Sequence, residues 1–84
     1  NPAPRFLTRG MRMKGEPKKR GKDTLQGWMT DSTGRVTCEV IGFRAYEKWR
    51  SSGANEKPVD IVYRPALKNY NGIETIQLEL ESWV

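Results

Sequence analysis

The segment "RAYEKWRSSG", residues 44–53, interrupts a series of strand-like patterns with a helical one. Ala45, Lys48 and Trp49 recur at the spacing of one helix face. Gly53 is a typical residue just after a helix, because glycine adopts the left-handed conformation without strain. The sequence therefore predicts one short helix, and the position of this helix between strands becomes the main evidence for the fold.

Three strands are predicted before the helix, and they form a meander: "RFLTRGMRMK" (5–14), "TLQGWMT" (24–30) and "RVTCEVIGF" (35–43). Gly10 lies inside the first strand, where a glycine marks a bulge or a tight bend at a barrel corner. The segment "GEPKKRGKD" (15–23) combines Gly, Pro and a run of charges, which predicts a loop. The segment "DSTG" (31–34) has the Asp and Gly positions of a type I turn.

Two more strands are predicted after the helix. In "PVDIVYRP" (58–65) the apolar residues alternate, and the prolines at each end fit strand boundaries. The segment "ALKNYNG" (66–72) is predicted to be a loop, in which Gly72 relieves the turn and Asn69 bonds to the backbone. The final strand, "IETIQLELE" (73–81), alternates almost without interruption.

The order β-β-β-α-β-β within 84 residues favours an all-β domain with one short helix. We interpret it as a single domain, residues 1–84, with a five-stranded Greek-key barrel of the oligonucleotide/oligosaccharide-binding (OB) type. An SH3-like barrel also has five strands, but it rarely places a helix between the third and the fourth. The residues expected to point into the barrel are Val36, Cys38, Val40, Val59, Ile61, Ile76, Leu78 and Leu80.

The composition of the chain indicates the cellular compartment and the partners to expect. Cys38 is the single cysteine, so no internal disulfide can form, and a reducing, cytoplasmic location is expected. No apolar run approaches the roughly 20 residues of a membrane helix, so we expect no membrane partner. A monomer is the expected state. The chain begins Asn-Pro-Ala-Pro without an initiator Met, so we expect it to be part of a longer protein.

Positive charge is concentrated near the N-terminus. Residues 1–22 carry eight Lys and Arg against one Glu, a net charge of +7, whereas the other 62 residues carry seven basic and nine acidic side chains, a net charge of −2. A basic segment of this kind suits a polyanion, because each phosphate that it neutralises releases condensed counterions. A solubilising loop would give the same pattern, so charge by itself leaves both interpretations open.

OB barrels bind ligands across the second and third strands, between the loop that joins strands one and two and the loop that joins strands four and five. Single-strand binders stack bases on aromatic rings while Lys and Arg follow the backbone. Trp28 shares a strand face with Gln26 and lies opposite to Leu25 and Met29 in the alternation. The predicted nucleic-acid-binding residues are Lys14, Lys18, Lys19, Arg20, Lys22, Gln26, Trp28, Lys68 and Tyr70.

Each aromatic residue also has a structural interpretation. Trp28 would be structural if it packed under a loop, or if a bulge at Gly27 returned it to the core, and Tyr70 would be structural if it folded back on the barrel. Trp49 and Tyr46 are expected on a helix that closes one end of the barrel, and Trp83 in a terminal contact, so none of the three is a predicted site residue.

The sequence favours no catalytic site in these 84 residues. It contains no His, which is the commonest general base and metal ligand. Cys38 lies at a core position, which makes it a poor nucleophile. The ten carboxylates do not cluster in a metal-binding pattern, and no glycine-rich phosphate loop is present. We expect no catalytic residue, no metal ligand and no cofactor within the chain.

Several segments resemble the C-terminal OB domain of RecJ, the single-stranded-DNA-specific exonuclease of bacteria. They are "VDIVYR" (59–64), "NYNG" (69–72) and "IQLELES" (76–82), with weaker similarity in "VIGF" (40–43) and "GKDTLQ" (21–26). The chain has Thr24 where many members have His, and Glu81-Ser82 where they have Asp. The resemblance implies a module that holds single-stranded DNA for a 5′ to 3′ exonuclease of DNA repair and recombination.

In that family the metal site lies in separate catalytic domains, so Mn²⁺ or Mg²⁺ would belong to the parent enzyme. The implied partners are single-stranded DNA and the catalytic domains of the parent chain. Two alternatives remain open from the sequence. One is a protein-interaction module that docks an acidic partner or the catalytic domains of its own chain. The other is an RNA-binding barrel, because stacking and backbone charge do not distinguish the two sugars.

Overall fold

The computed structural model describes residues 4–84 of the chain. In chain order its elements are β1 (Phe6–Met13), β2 (Lys18–Arg20), β3 (Thr24–Thr30), β4 (Thr37–Gly42), α1 (Tyr46–Ser52), a single 3₁₀ turn (Ala54–Glu56), β5 (Val59–Tyr70) and β6 (Ile73–Trp83). The predicted order of strands and helix is confirmed, with β2 as an additional short strand. Among the residues that the structure describes, no helix has the length and apolar character needed to cross a bilayer.

Five of the strands close into a barrel. β1 pairs antiparallel with both β3 and β5, β5 pairs antiparallel with β6, and β3 pairs antiparallel with β4. The circle is completed by a parallel pairing of β4 with β6, through Glu39–Gln77, Val40–Leu78 and Ile41–Glu79. β2 pairs with the remaining edge of β3 and flanks the barrel. This connectivity is that of the OB fold, and the predicted fold class is confirmed.

The glycine inside β1 forms the expected irregularity. The pairing of β1 with β5 shifts register between Thr8 and Met11, and Gly10 lies in this interval with φ +72°. Residues other than glycine seldom adopt such a positive φ without strain. The bulge bends β1 so that one part of it pairs with β5 and its end, at Arg12 and Met13, pairs with β3.

The prediction that residues 15–23 form only a loop is wrong. Lys18, Lys19 and Arg20 form β2 and pair with Gln26, Leu25 and Thr24 of β3. All three β2 side chains are exposed. A run of charges is compatible with a short edge strand, because an edge strand needs no buried face and charge protects its open edge.

The prediction of a loop over residues 66–72 is also wrong, because β5 continues to Tyr70. The turn consists of two residues, Asn71 and Gly72, both with positive φ (53° and 79°), which is the geometry of a type I′ hairpin. Asn69 Oδ1 accepts a hydrogen bond from the Gly72 N–H at 3.1 Å, as expected for this residue. Pro65 lies within β5, beyond the last β1 pairing at Tyr63, where a missing N–H is tolerated.

The barrel is filled by apolar side chains from every long strand and from the helix. Of the predicted core, five residues are buried and Cys38 is half-buried against them: Val40, Val59, Ile61, Leu78 and Leu80. Val36 and Ile76 were predicted inside and are exposed. Val36 precedes β4, and Ile76 pairs with Leu67 in a part of the hairpin that extends beyond the barrel. The core also includes Met11, Met13, Leu25, Met29, Ala45, Trp49 and Ala54.

Helix α1 closes one end of the barrel, as its sequence predicts. Trp49 is 1% exposed and packs edge-on against Trp83, with ring centres 5.1 Å apart. The helix ends at Gly53, which has φ +71°. Its first turn is capped by Asp23, which lies outside the helix. The Asp23 backbone carbonyl accepts hydrogen bonds from the backbone N–H groups of Ala45 and Tyr46, and the Asp23 carboxylate accepts one from the backbone N–H of Glu47. This contact fixes the helix against the turn between β2 and β3.

Candidate nucleic-acid interface

The candidate interface is the outer face of β2, β3, β4 and β6. Residues paired across neighbouring strands project to the same side of a sheet, so the register identifies the members of this face. Lys18 pairs with Gln26, and Gln26 pairs with Ile41. Trp28 pairs with Glu39, and Glu39 pairs with Gln77. The side chains of all six therefore lie on one continuous surface.

Trp28 lies on this surface with half of its side chain exposed (50%). The pairing of β3 with β4 is continuous from Leu25 to Thr30, so Gly27 forms no bulge and Trp28 does not turn into the core. Leu25 and Met29, on the opposite face, are fully buried. A half-exposed indole on the polar side of a strand is available to stack on a planar ligand.

Gly27 has a packing role that the sequence does not reveal. A Cβ at this position would lie 2.7 Å from Met13 Sδ and 3.3 Å from Pro17 Cβ. The absence of a side chain therefore lets the end of β1 and the following loop lie directly against β3. The backbone N–H of Lys14 donates to the carbonyl of Trp28 at 2.7 Å, which fixes the start of the basic loop beside the indole.

Five of the predicted site residues line one groove, which we call the indole groove. Lys14, Lys18 and Arg20 provide its positive charge, and Gln26 and Trp28 lie beside them. Glu16 and Gly27 also contribute to its walls. The structure thus brings together three cations and an exposed aromatic ring that the sequence separates by up to 14 positions.

A second groove, the central groove, adjoins the first through two shared residues. It is lined by Arg20, Gln26, Glu39, Ile41, Lys68 and Gln77. Lys68 comes from β5, so the predicted cation of the last hairpin does lie beside the face of β3 and β4. The two grooves together run from Lys14 to Lys68 across the sheet.

A chain of hydrogen bonds orders the side chains between the two grooves. Arg20 Nε donates to Gln26 Oε1 at 2.6 Å, and Gln26 Nε2 donates to Glu39 Oε2 at 2.8 Å. The amide of Gln26 therefore joins the guanidinium of β2 to the carboxylate of β4. This network keeps the Arg20 and Glu39 side chains in a defined arrangement on the face.

Three predicted site residues lie apart from these grooves. Lys19 pairs with the inward-facing Leu25, and its Nζ lies 6.0 Å from the centre of the Tyr46 ring, on the helix side of the barrel. Lys22 is exposed in the turn between β2 and β3 and lines neither groove. Tyr70 is 75% exposed at the end of the β5–β6 hairpin, so it does not fold back on the barrel.

The sequence did not identify Glu39, Ile41 and Gln77 as members of the interface. Glu39 and Ile41 alternate with the buried Val40, and this alternation is the signal from which their outward position could have been predicted. Gln77 is 3% exposed and lies in the floor of the central groove. Its place beside Glu39 depends on the parallel register of β4 and β6, and no local pattern in the sequence encodes that register.

Within residues 4–84, no three or more Cys, Asp or Glu side chains come together in a way that would hold a metal ion. The candidate site therefore offers hydrogen bonds, positive charge and a stacking surface.

An OB barrel that presents an exposed indole and several cations on its ligand face is a nucleic-acid-binding module of the OB class. The family model of the RecJ OB domain matches residues 1–82. The chain therefore belongs to the RecJ OB domain family, which confirms the resemblance seen in its motifs. Comparison with curated proteins and with solved structures gave no match.

Proposed function

We propose that the chain binds single-stranded DNA and holds it for the catalytic domains of a RecJ-type 5′ to 3′ exonuclease. The observation that carries this proposal is the half-exposed Trp28 in a groove with Lys14, Lys18 and Arg20. Membership of the RecJ OB family supplies the context of a nuclease.

In this proposal, bases stack on the indole of Trp28 while the phosphates follow the cations. Stacking requires bases that are already unpaired, so a single strand is favoured over a duplex. Lys14, Lys18 and Arg20 lie on one side of the face and Lys68 on the other. A strand that crosses from one groove to the other would meet positive charge at both ends of its path.

The parent enzyme is proposed to act in the cytoplasm, in DNA repair and recombination. Its Mn²⁺ or Mg²⁺ would be bound in separate catalytic domains, as membership of the RecJ family implies. The role of this chain would be to retain the strand near that site. Chemistry would take place on the other domains, and this module would supply affinity.

An amide chemical-shift titration with a short oligothymidine tests the proposal. Shifts are expected at residues 14–20, along β3 and β4, and at Lys68. Matched titrations with the corresponding duplex should give weaker binding, and a comparison of oligouridine with oligodeoxyuridine shows whether the sugar matters. The proposal fails if single strands leave this face unchanged at every concentration tested.

A second candidate function, docking to another protein surface, is supported by the β5–β6 hairpin. Beyond the barrel, this hairpin exposes two apolar cross-strand pairs, Leu67 with Ile76 and Tyr70 with Ile73. Exposed apolar clusters of this kind mark interaction sites. The partner that fits this apolar hairpin is the surface of the catalytic domains of the same polypeptide, whereas an acidic partner would dock on the basic segment at residues 14–20. Shifts at the hairpin with the catalytic domains, or at residues 14–20 with an acidic peptide, and none with DNA, would favour this function.

A further inference from the structure

The central groove combines two kinds of chemistry. Its rims are cationic, with Arg20 on one side and Lys68 on the other. Its floor carries three hydrogen-bonding side chains, Gln26, Glu39 and Gln77. A surface that only neutralised phosphates would need no such floor, and a carboxylate there would repel the strand. The floor is suited to the edge of a nucleobase whose phosphates lie at the rims.

Of these three floor residues, Glu39 is the one that carries a charge. One of its oxygens, Oε2, accepts the hydrogen bond from Gln26 at 2.8 Å. The other oxygen accepts no hydrogen bond from any residue in the range 4–84 that the structure describes. Because Gln26 is in turn held by Arg20, the carboxylate is oriented in advance and its other oxygen is available as an acceptor.

Glu39 also lies next to the stacking surface. It is the cross-strand partner of Trp28 on β3 and of Gln77 on β6. Directly paired side chains on one face have Cβ atoms about 5 Å apart. A strand with one base stacked on the indole would therefore bring that base, or its neighbour, close to the Glu39 carboxylate.

We propose that the central groove reads nucleobases through Glu39, which accepts a hydrogen bond from an exocyclic amino group, so that the domain prefers cytosine to thymine. This inference rests on the proposed single-strand binding and adds a base preference to it. Cytosine presents an N4 amino donor, whereas thymine presents the O4 acceptor at the same place. A carboxylate bonds to the first and repels the second, and single-stranded RNA and DNA readers use these edges.

The test compares two pyrimidine oligomers of equal length and charge. Fluorescence anisotropy is measured with end-labelled oligodeoxycytidine and oligothymidine of about 12 nucleotides, within the site size of one OB fold. The wild-type domain should bind the cytidine oligomer more tightly, on the order of tenfold, as expected for one well-placed contact to a base edge. Both oligomers make the same phosphate contacts, so the ratio should not depend on salt.

The variant Glu39→Gln removes the charge and keeps the size of the side chain. It should reduce the ratio to about twofold or less, mainly by strengthening the binding of oligothymidine. Glu79→Gln is the matched control: Glu79 pairs with Ile41 on the same face but does not line the groove. This control removes the same charge and should leave the ratio unchanged.

The outcomes separate this inference from the proposed function. Equal wild-type affinity for the two oligomers would overturn base reading and leave single-strand binding intact. A ratio that survives in Glu39→Gln, or that Glu79→Gln also abolishes, would assign the preference to something other than this carboxylate. The absence of binding to either oligomer would contradict the proposed function itself and the base preference with it.

Discussion

The carboxylate of Asp60 accepts a hydrogen bond from the backbone N–H of Gly10 at 3.0 Å, across the pairing of β1 with β5. The register shift in β1 takes Gly10 out of the regular pairing, and the Asp60 side chain supplies the acceptor. The Asp60 backbone also exchanges two hydrogen bonds with Val84. One residue of β5 therefore ties the bulge to the C-terminal end of the barrel.

Replacement of Asp60 with Ala should destabilise the domain by about 1–2 kcal/mol, because a partly buried N–H loses its acceptor. Asp60→Asn is the matched control, since its carbonyl oxygen can accept the same hydrogen bond, and it should cost clearly less. Urea denaturation of the three proteins measures the differences. Equal stability of wild type and Asp60→Ala would show that the bulge needs no side-chain acceptor.

The bulge at Gly10 shows which structural features could be predicted from the sequence and which could not. A glycine inside a strand pattern predicted the irregularity at Gly10, but its acceptor lies 50 residues away and only the register of β1 and β5 brings the two together. The same holds for the candidate site. Alternation placed Trp28 on the outer face and Leu25 in the core, whereas the position of Gln77 beside Glu39 depends on a parallel pairing between distant strands.

The two mistaken loops have different physical causes. β2 is a three-residue edge strand without a buried face, so no apolar alternation marks it, and the position of Lys19 on the helix side could not be predicted. The end of β5, from Leu67 to Tyr70, is exposed on both faces, so no apolar alternation marks it either. The Asn71-Gly72 turn did carry a local signal, since this dipeptide is typical of type I′ turns.

Replacement of Gly42 with Ala should destabilise the domain by about 1–3 kcal/mol, the usual cost of overpacking. The new Cβ would lie 2.9 Å from the Cβ of Ala45, which is fixed to the backbone and cannot rotate away. Gly27→Ala is the matched control, because the closest atom there, at 2.7 Å, is the Sδ of the flexible Met13, and the rigid Pro17 Cβ is farther away, at 3.3 Å. Thermal denaturation should rank Gly42→Ala as the less stable variant; the reverse order would contradict this account.

The turn between β3 and β4 should respond to acid. The pKa of Asp31 is held below its ordinary value, chiefly by the hydrogen bond from the Thr33 hydroxyl and further by backbone N–H groups of Val36, Gly34 and Arg35. A carboxylate with a lowered folded pKa stabilises the fold above its unfolded pKa of about 3.9 and loses this contribution as the pH falls through the folded value.

An NMR titration of the Asp31 carboxyl carbon checks this expectation. The midpoint should lie below that of an unstructured Asp, and Thr33→Val should move it upward, because the largest favourable contact with the charged form is removed. Thr8→Val serves as a control far from the turn, since the Thr8 hydroxyl bonds to Tyr63. No movement of the midpoint in Thr33→Val would exclude the hydroxyl as the cause.

Replacement of Trp28 with Ala should weaken single-strand binding by about 1–3 kcal/mol, the usual cost of a lost stacking ring. The side chain is half exposed, so the variant should remain folded, which a thermal denaturation curve verifies. Trp28→Phe keeps an aromatic face and should recover part of the loss. If Trp28→Ala is folded and binds as the wild type does, the indole takes no part in the interface.

The last prediction separates the two faces of β2 by the salt dependence of binding. Four cations line the grooves, and at about −0.7 per phosphate contact on single strands the log-log salt slope should be near −3. The double variant Lys18→Ala, Arg20→Ala should flatten the slope by about 1.4, because both side chains line the indole groove.

The matched control is the double variant Lys19→Ala, Lys48→Ala. It removes equal charge from the helix side of the barrel and should leave the slope unchanged. Trp28→Ala should also leave it unchanged, because stacking releases no counterions. A larger flattening in the Lys19 and Lys48 pair would place the phosphate path beside α1 and exclude the grooves as the binding site.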